Sequence, residues 1–383
     1  MIRGPFLQLL LLCCLATAIR AQDLVEYQSD YYIIRTDLPP EGALEAQIRM
    51  NLIAREYMNR TRGFSGVIHS RMPFYLYADP EKYYATGAPR TSGGYFDGTS
   101  LVALAEDLGP RTWHRVQHEA FHQFADQVIR GKLPPWLNEG LAEYFGEAVF
   151  TGDGFVSGVI PQWRLKRIRE TIEKKEFPSL REMMQVPIEQ WNSELAIRNY
   201  DQAWSMVQFL AHGGDGKYQE ALGRFVAALG DNRPWQQAWR DIFGDTGGFE
   251  DRWRGYWTSL PDNPTIDLYA QANVATLTAF LARGVSQNQQ FANLKAFEEA
   301  ADAGTIKHLD QNWLPPSLLK QAMEQYRILA RAGFTYTLTT PAGSRLPQLL
   351  SVTPTGKRIT GRYTLRNGSV ITTSADFAPN GSR

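Results

Sequence analysis

From Pro110 to Ser259 the apolar residues recur almost throughout at helical spacing, whereas the segment before it alternates short β-former runs with proline and glycine turns. A chain that segregates its strands from its helices in this way is expected to fold as α+β, not as an alternating parallel α/β sheet. The runs Asp30 to Thr36 (DYYIIRT) and Pro73 to Tyr77 (PFYLY) read as strands, and a helix from about Glu41 to Arg60 lies between them behind Pro39-Pro40. Gly93-Gly94-Tyr95-Phe96-Asp97-Gly98 followed by Ser100 to Leu104 reads as a hairpin with a glycine turn, which completes a small mixed sheet. Breaks in the helical stretch fall at Pro134-Pro135, Gly152 to Gly154, Gly213 to Gly216 and Gly244 to Gly248.

Pro261-Asp262-Asn263-Pro264 reads as a linker. Helical patterning resumes at about Asp267 to Arg283, Asn288 to Ala303 and Pro316 to Ala332. Short β-rich runs then begin at Phe334, Gln348 and Ile359, separated by Pro-Ala-Gly, Pro-Thr-Gly and Asn-Gly turns. These shifts divide the chain into a main domain (22–260), a helical region (261–333) and a small β-rich C-terminal segment (334–383). The first 21 residues have a basic start at Arg3, an apolar run from Pro5 to Ala18 and small residues at Ala16, Ala18 and Ala21. That is the pattern of a secretory signal peptide, with cleavage after Ala18 or Ala21 and export to the periplasm or the medium. Cys13 and Cys14 are the two cysteines of the sequence and fall in that segment, so the remainder depends on packing without disulfides. A hydrophobic content of 43% is ample for that.

Forty basic residues balance forty acidic ones, so no net field favours nucleic acid or an anionic membrane. No later segment is long and apolar enough for membrane insertion. The basic run from Arg164 to Arg169 is followed by Glu170 and Glu173 on the same helix and reads as a solvated face.

Three of the six histidines lie in the window Trp113-His114-Arg115-Val116-Gln117-His118-Glu119-Ala120-Phe121-His122. Residues four apart share one face of a helix, so His118 and His122 can chelate a single zinc ion while Glu119, beside them, reaches a water on that ion. His114 lies one turn earlier on the same face. A fourth protein ligand would close the position that catalysis needs open, so His114 reads as structural or as a partner of a ligand.

Leu133-Pro134-Pro135-Trp136-Leu137-Asn138-Glu139-Gly140-Leu141-Ala142-Glu143-Tyr144-Phe145 reads as a loop entering a second helix. Taken with the His-Glu-x-x-His run, it resembles the gluzincin metallopeptidases, including the thermolysin-like and aminopeptidase groups. The resemblance implies a zincin-like domain with one zinc ion per chain, held by His118, His122 and Glu139. Trp136-Leu137-Asn138-Glu139-Gly140 is similar to the aminopeptidase form of that third-ligand segment. Glu143, four residues further on, is implied to hydrogen-bond His118 and orient it. The run from Gly93 to Trp204 also resembles a poorly characterised group of secreted bacterial proteins with a peptidase-MA-like domain. The Gly-x-Met-Glu-Asn strand that holds a free amine in aminopeptidases is missing from Ser92 to Gly98. Asn199-Tyr200-Asp201-Gln202-Ala203-Trp204 resembles a helix that bears an oxyanion-stabilising tyrosine, which assigns that role to Tyr200. His212, before Gly213-Gly214, is the other candidate donor, with helix capping as its alternative. The Gly93 to Leu104 hairpin is either plain sheet structure or the edge on which an extended peptide pairs.

The expectation is therefore a secreted zinc-dependent peptidase acting on a peptide or protein substrate. Zinc lowers the pKa of its water and polarises the scissile carbonyl, Glu119 serves as general base, and Tyr200 shares the charge of the tetrahedral intermediate. A zinc hydrolase of non-peptide amides or esters needs the same ligands. A silent zinc-domain binding or scaffold protein is a further alternative, against which the retention of Glu119 speaks.

Overall fold

In the computed structural model of the chain the described residues are 24–129, 133–191, 196–344 and 346–378. The signal-peptide reading of residues 1–21, with both cysteines, lies outside them. The fold is α+β. Strand β1 (Val25–Gln28) runs antiparallel to β2 (Tyr32–Thr36). Helix α1 (Pro40–Arg60) supplies the crossover that lets β3 (Met72–Tyr77) lie parallel to β2, since parallel neighbours cannot be joined by a tight turn. The short helix α2 (Pro80–Tyr84) leads to β4 (Gly94–Phe96) and β5 (Leu101–Leu104), an antiparallel hairpin whose second strand runs parallel to β3. The sheet is mixed, in the order β1-β2-β3-β5-β4, and β4 forms one edge. Tyr32, Ile34 and Thr36 point to the core from alternate positions of β2, which is the period that made the strand readable. Strand β1 escaped the sequence reading because its four residues are mostly exposed and leave no alternation to detect.

The helices follow: α3 (Pro110–Val128), α4 (Pro135–Gly146), then α5 (Gln162–Glu173), α6 (Leu180–Met183), α7 (Ile188–Trp191), α8 (Ala196–Gly216), α9 (Gln219–Gly230), α10 (Trp235–Phe243) and α11 (Thr246–Ser259). Prolines at the first helical position open both α3 and α4, where the missing N–H costs nothing. The stretch is not wholly helical. Between α4 and α5 the strands β6 (Val149–Phe150) and β7 (Phe155–Val156) form a small hairpin around Gly152, whose φ of +94° is one that side chains rarely adopt.

Tyr57, Phe121, Phe124 and Phe145 pack ring against ring where α1, α3 and α4 meet. Burying each such side chain contributes about 1.5–3 kcal/mol. Buried amides fix the same helices. Gln117 donates to the carbonyls of Phe145, Gly146 and Ala148 at the end of α4, and Gln123 donates to Pro73 in β3 and Thr99 in the hairpin turn. Helix α3 is thereby locked to the sheet and to α4 before any ligand is considered.

Beyond Pro264 come α12 (Ile266–Ser286), α13 (Leu294–Asp302) and α14 (Pro316–Arg331), followed by β8 (Thr335–Thr339), β9 (Gln348–Val352), β10 (Arg358–Arg366) and β11 (Ser369–Phe377). The strands form an antiparallel sheet in the order β11-β10-β9-β8. The helices and strands of this half share one hydrophobic cluster, built around α12 and joined by Phe150 from the small hairpin. Gly361 of β10 meets α12 so closely that a Cβ there would lie 1.9 Å from Thr278 Oγ1. Arg283 of α12 reaches back to Asp153 at 2.8 and 3.0 Å, tying the C-terminal half to the β6–β7 turn. No described helix is long and apolar enough to cross a membrane.

Candidate metal centre

Helix α3 presents His118 and His122 on one face, with their Nε2 atoms 3.1 Å apart. From α4, Glu139 Oε2 lies 3.3 Å from His118 Nε2 and 3.4 Å from His122 Nε2. Atoms that share a tetrahedral ion about 2.0–2.1 Å away stand roughly 3.3 Å from one another, so the three edges have the size of one face of a zinc tetrahedron. Glu139 Oε2 and His122 Nδ1 are both buried without a hydrogen-bond partner. A bare carboxylate oxygen turned toward two imidazole nitrogens is costly to bury unless a cation is to share it. Donor types, spacing and the unpartnered oxygen together fit a zinc ion.

The charges around this point are strongly coupled. Burial would raise the Glu139 carboxyl, but the His118 and His122 imidazoles that face it overcome this and hold the group at about 2. For His118 burial alone would lower the imidazole, yet Glu139 and Glu143 raise it well above its ordinary value. Glu143 Oε1 lies 3.1 Å from His118 Nδ1, the ring atom facing away from the three-atom cluster. That contact fixes the tautomer and turns Nε2 toward Glu139.

Glu119 lines a cleft of about 880 Å³ together with His118, His122, Glu139, Tyr95, Phe96 and Tyr200. The β4 strand forms one wall. Glycines at its start permit the approach: a Cβ on Gly93, just before the strand, would lie 1.7 Å from Arg115 Nη1, and one on Gly94 would touch Arg115 and the Glu119 Cγ. Among the described residues no strand pairs with the outer side of β4, where Ser92 Oγ donates to the Gly94 carbonyl and accepts from its N–H.

Tyr200 stands in the second turn of α8, its ring centroid 6.1 Å from that of His118 and 6.0 Å from that of Trp191. Gly140, directly after Glu139, brings α8 this close. A Cβ at that position would lie 2.6 Å from the Ala203 carbonyl oxygen and 2.8 Å from Val207. Burial, followed by the charges of Glu139, Glu119 and Glu143, raises the Tyr200 phenol far above its usual value, so it stays protonated and able to donate.

His114 and His212 both lie outside the three-atom cluster. His114 stands 3.9 Å from Glu143 and from Glu147, and these three could be counted as a second ligand group. Arg164 already fills it, with Nη2 2.7 Å from Glu143 and Nη1 3.0 Å from Glu147. His212 stacks on Tyr144, 3.0 Å from its hydroxyl, and is not among the residues lining the cleft. Arg164 and Asp201 escaped the sequence reading. The run from Arg164 to Arg169 is a solvated face only in part: Lys166 is exposed beside Glu170, whereas Arg164 is 2% exposed and Arg169 bonds the carbonyls of Trp257 and Leu260. The spacing along α5 carries no trace of partners on α4 and α8.

Residues 113–235 match a protein family described as a protein of unknown function (DUF1570). The match takes in α3 through α9 and every residue of the cluster, and that description assigns no activity. No curated protein matches the chain.

Proposed function

We propose that the protein is a zinc-dependent peptidase of the gluzincin type, with His118, His122 and Glu139 as ligands of one zinc ion. The triangle of 3.1, 3.3 and 3.4 Å edges carries this reading. When bound, zinc supplies Lewis acidity, polarising a substrate carbonyl and making water more acidic. Glu119, on the same helix and in the same cleft, takes the proton from the attacking water and passes it to the leaving nitrogen. Glu143 holds the His118 ring. Tyr200 donates its phenolic proton in a hydrogen bond to the oxygen on which negative charge develops. β4 is an edge strand along the cleft, and an extended peptide backbone can pair with it once the Ser92 hydroxyl gives up the Gly94 backbone groups it holds, which favours a peptide over a compact amide or ester. Export through the N-terminal segment belongs to the same proposal and rests on its sequence alone.

The test is a diverse peptide mixture read by mass spectrometry, with and without a chelator, beside Glu119→Gln. Cleavage that disappears in both arms supports the reading. Turnover of ester or acyl-amide probes with every peptide left intact would replace it with a non-peptide hydrolase.

A further inference from the structure

Behind the three ligands the buried charges are arranged around one residue. Arg164, on α5, turns each of its three nitrogens toward a different carboxylate: Nη2 to Glu143 at 2.7 Å, Nη1 to Glu147 at 3.0 Å and Nε to Asp201 at 3.1 Å. Its guanidinium lies over the Trp204 ring, 4.4 Å from the centroid. Asp201 is itself 2% exposed and is also gripped by Arg167, one turn along α5. Burying this many charges is expensive, and apolar residues of similar volume would make an equally firm core. What a guanidinium adds is direction, because its planar fork fixes several carboxylates at once.

Two of those carboxylates belong to the elements that carry the metal centre. Glu143 uses its other oxygen to hold His118 Nδ1 and lies one turn after Glu139 on α4. Asp201 directly follows Tyr200 on α8. We propose that Arg164 is a positioning residue for the metal centre, fixing the His118 ring through Glu143 and the Tyr200-bearing turn of α8 through Asp201. The ligand geometry and the oxyanion donor are thus set from a single point on a third helix. This inference rests on the zinc reading of the cluster.

The experiment measures zinc dissociation constants by competition with a chromophoric chelator, alongside melting temperature, kcat and KM. The variants are Arg164→Lys, Glu143→Gln, their double and Arg283→Lys. Arg164→Lys keeps the charge but loses the fork, and is expected to weaken zinc binding about 10-fold. Glu143→Gln should weaken it by about 10–100-fold, and the double variant no further, because both act along one path. Arg283→Lys alters a similarly buried arginine in the other half and should lower the melting temperature while leaving zinc affinity at the wild-type value. Asp201→Asn is milder and tests the second branch: kcat should fall with KM and zinc affinity held. Unchanged zinc affinity in Arg164→Lys, or losses that add in the double variant, would overturn the Glu143 branch, and unchanged kcat in Asp201→Asn would overturn the Tyr200 branch. Wild-type protein that binds zinc yet cleaves no peptide sinks the peptidase reading, with the positioning role still decided by the affinities. Wild-type protein that takes up no zinc overturns both.

Discussion

Helices α3 and α12 are alike in length and depth, at 19 and 21 residues, and each forms the spine of its own hydrophobic cluster. They bury polar groups in opposite ways. On α12, Asn273 bonds the Ala322 carbonyl and the Tyr336 hydroxyl, Thr276 bonds the carbonyl one turn back, and Arg283 closes on Asp153 and two carbonyls. Thr278 Oγ1 lacks a partner, but it faces the Gly361 backbone of β10. On α3, the Gln117 and Gln123 amide nitrogens likewise bond backbone carbonyls, although Gln123 Oε1 has no partner, whereas His118 and His122 converge on the Glu139 carboxylate. Satisfied polar burial builds a joint. Three ligand-type atoms converging on one point, and not a leftover atom by itself, make a place that an ion can fill.

The sharpest way to break this contrast is to delete one group from each side. Glu139→Ala should lower zinc affinity by more than the roughly 10–100-fold typical of an outer partner, read as zinc content after dialysis. Arg283→Met, which leaves Asp153 without its cation, should cost about 3 kcal/mol of stability with zinc content intact. Equal zinc loss in both would erase the distinction. Tyr200→Phe should next reduce turnover on the order of 100-fold, about 3 kcal/mol, with unchanged zinc uptake, and full turnover would remove Tyr200 from the mechanism.

Two glycines sharpen the comparison further. Gly140→Ala and Gly361→Ala each force a Cβ into a helix contact, at 2.6 and 1.9 Å from the nearest atom. Each should cost about 1–3 kcal/mol by denaturant melting. Only Gly140→Ala, which pushes on the helix bearing Tyr200, should also slow turnover.

The smallest effect concerns His212, a histidine of the N-terminal half that does not join the cluster. Burial, and after it the charge of Arg60, depress this imidazole to about 4. The unfolded chain takes up the proton near pH 6.5 and the folded chain not until about pH 4. Stability is therefore whole above about 6.5 and is lost as the pH falls toward 4. His212→Gln should flatten that acid limb by on the order of 2 kcal/mol, measured as melting temperature against pH, allowing for solvent that reaches the ring. An unchanged limb would show that His212 titrates as an exposed residue.

The helix bearing His118, Glu119 and His122 was legible because its chemistry is written in local spacing, and Glu139 and Glu143 because their segment resembles a known one. Strands β2 and β3 announced themselves by β-former runs, and proline marked the starts of α3 and α4. What stayed hidden depends on contacts between distant segments. Arg164 looks like any basic residue of an amphipathic helix until α4 and α8 fold against it. Strand β11 has several exposed positions that blur its alternation, and the sharing of one cluster by α12 and the terminal strands follows from the close meeting at Gly361.

The central claim is the metal centre, and a crystal structure of the zinc-loaded protein with anomalous scattering at the zinc edge tests it most directly. The account expects one ion about 2.0–2.1 Å from His118 Nε2, His122 Nε2 and Glu139 Oε2, with Glu119 beside it and not bound to it. An ion seated elsewhere, for instance at His114 and Glu147, or no ion at all in saturating zinc, would contradict it.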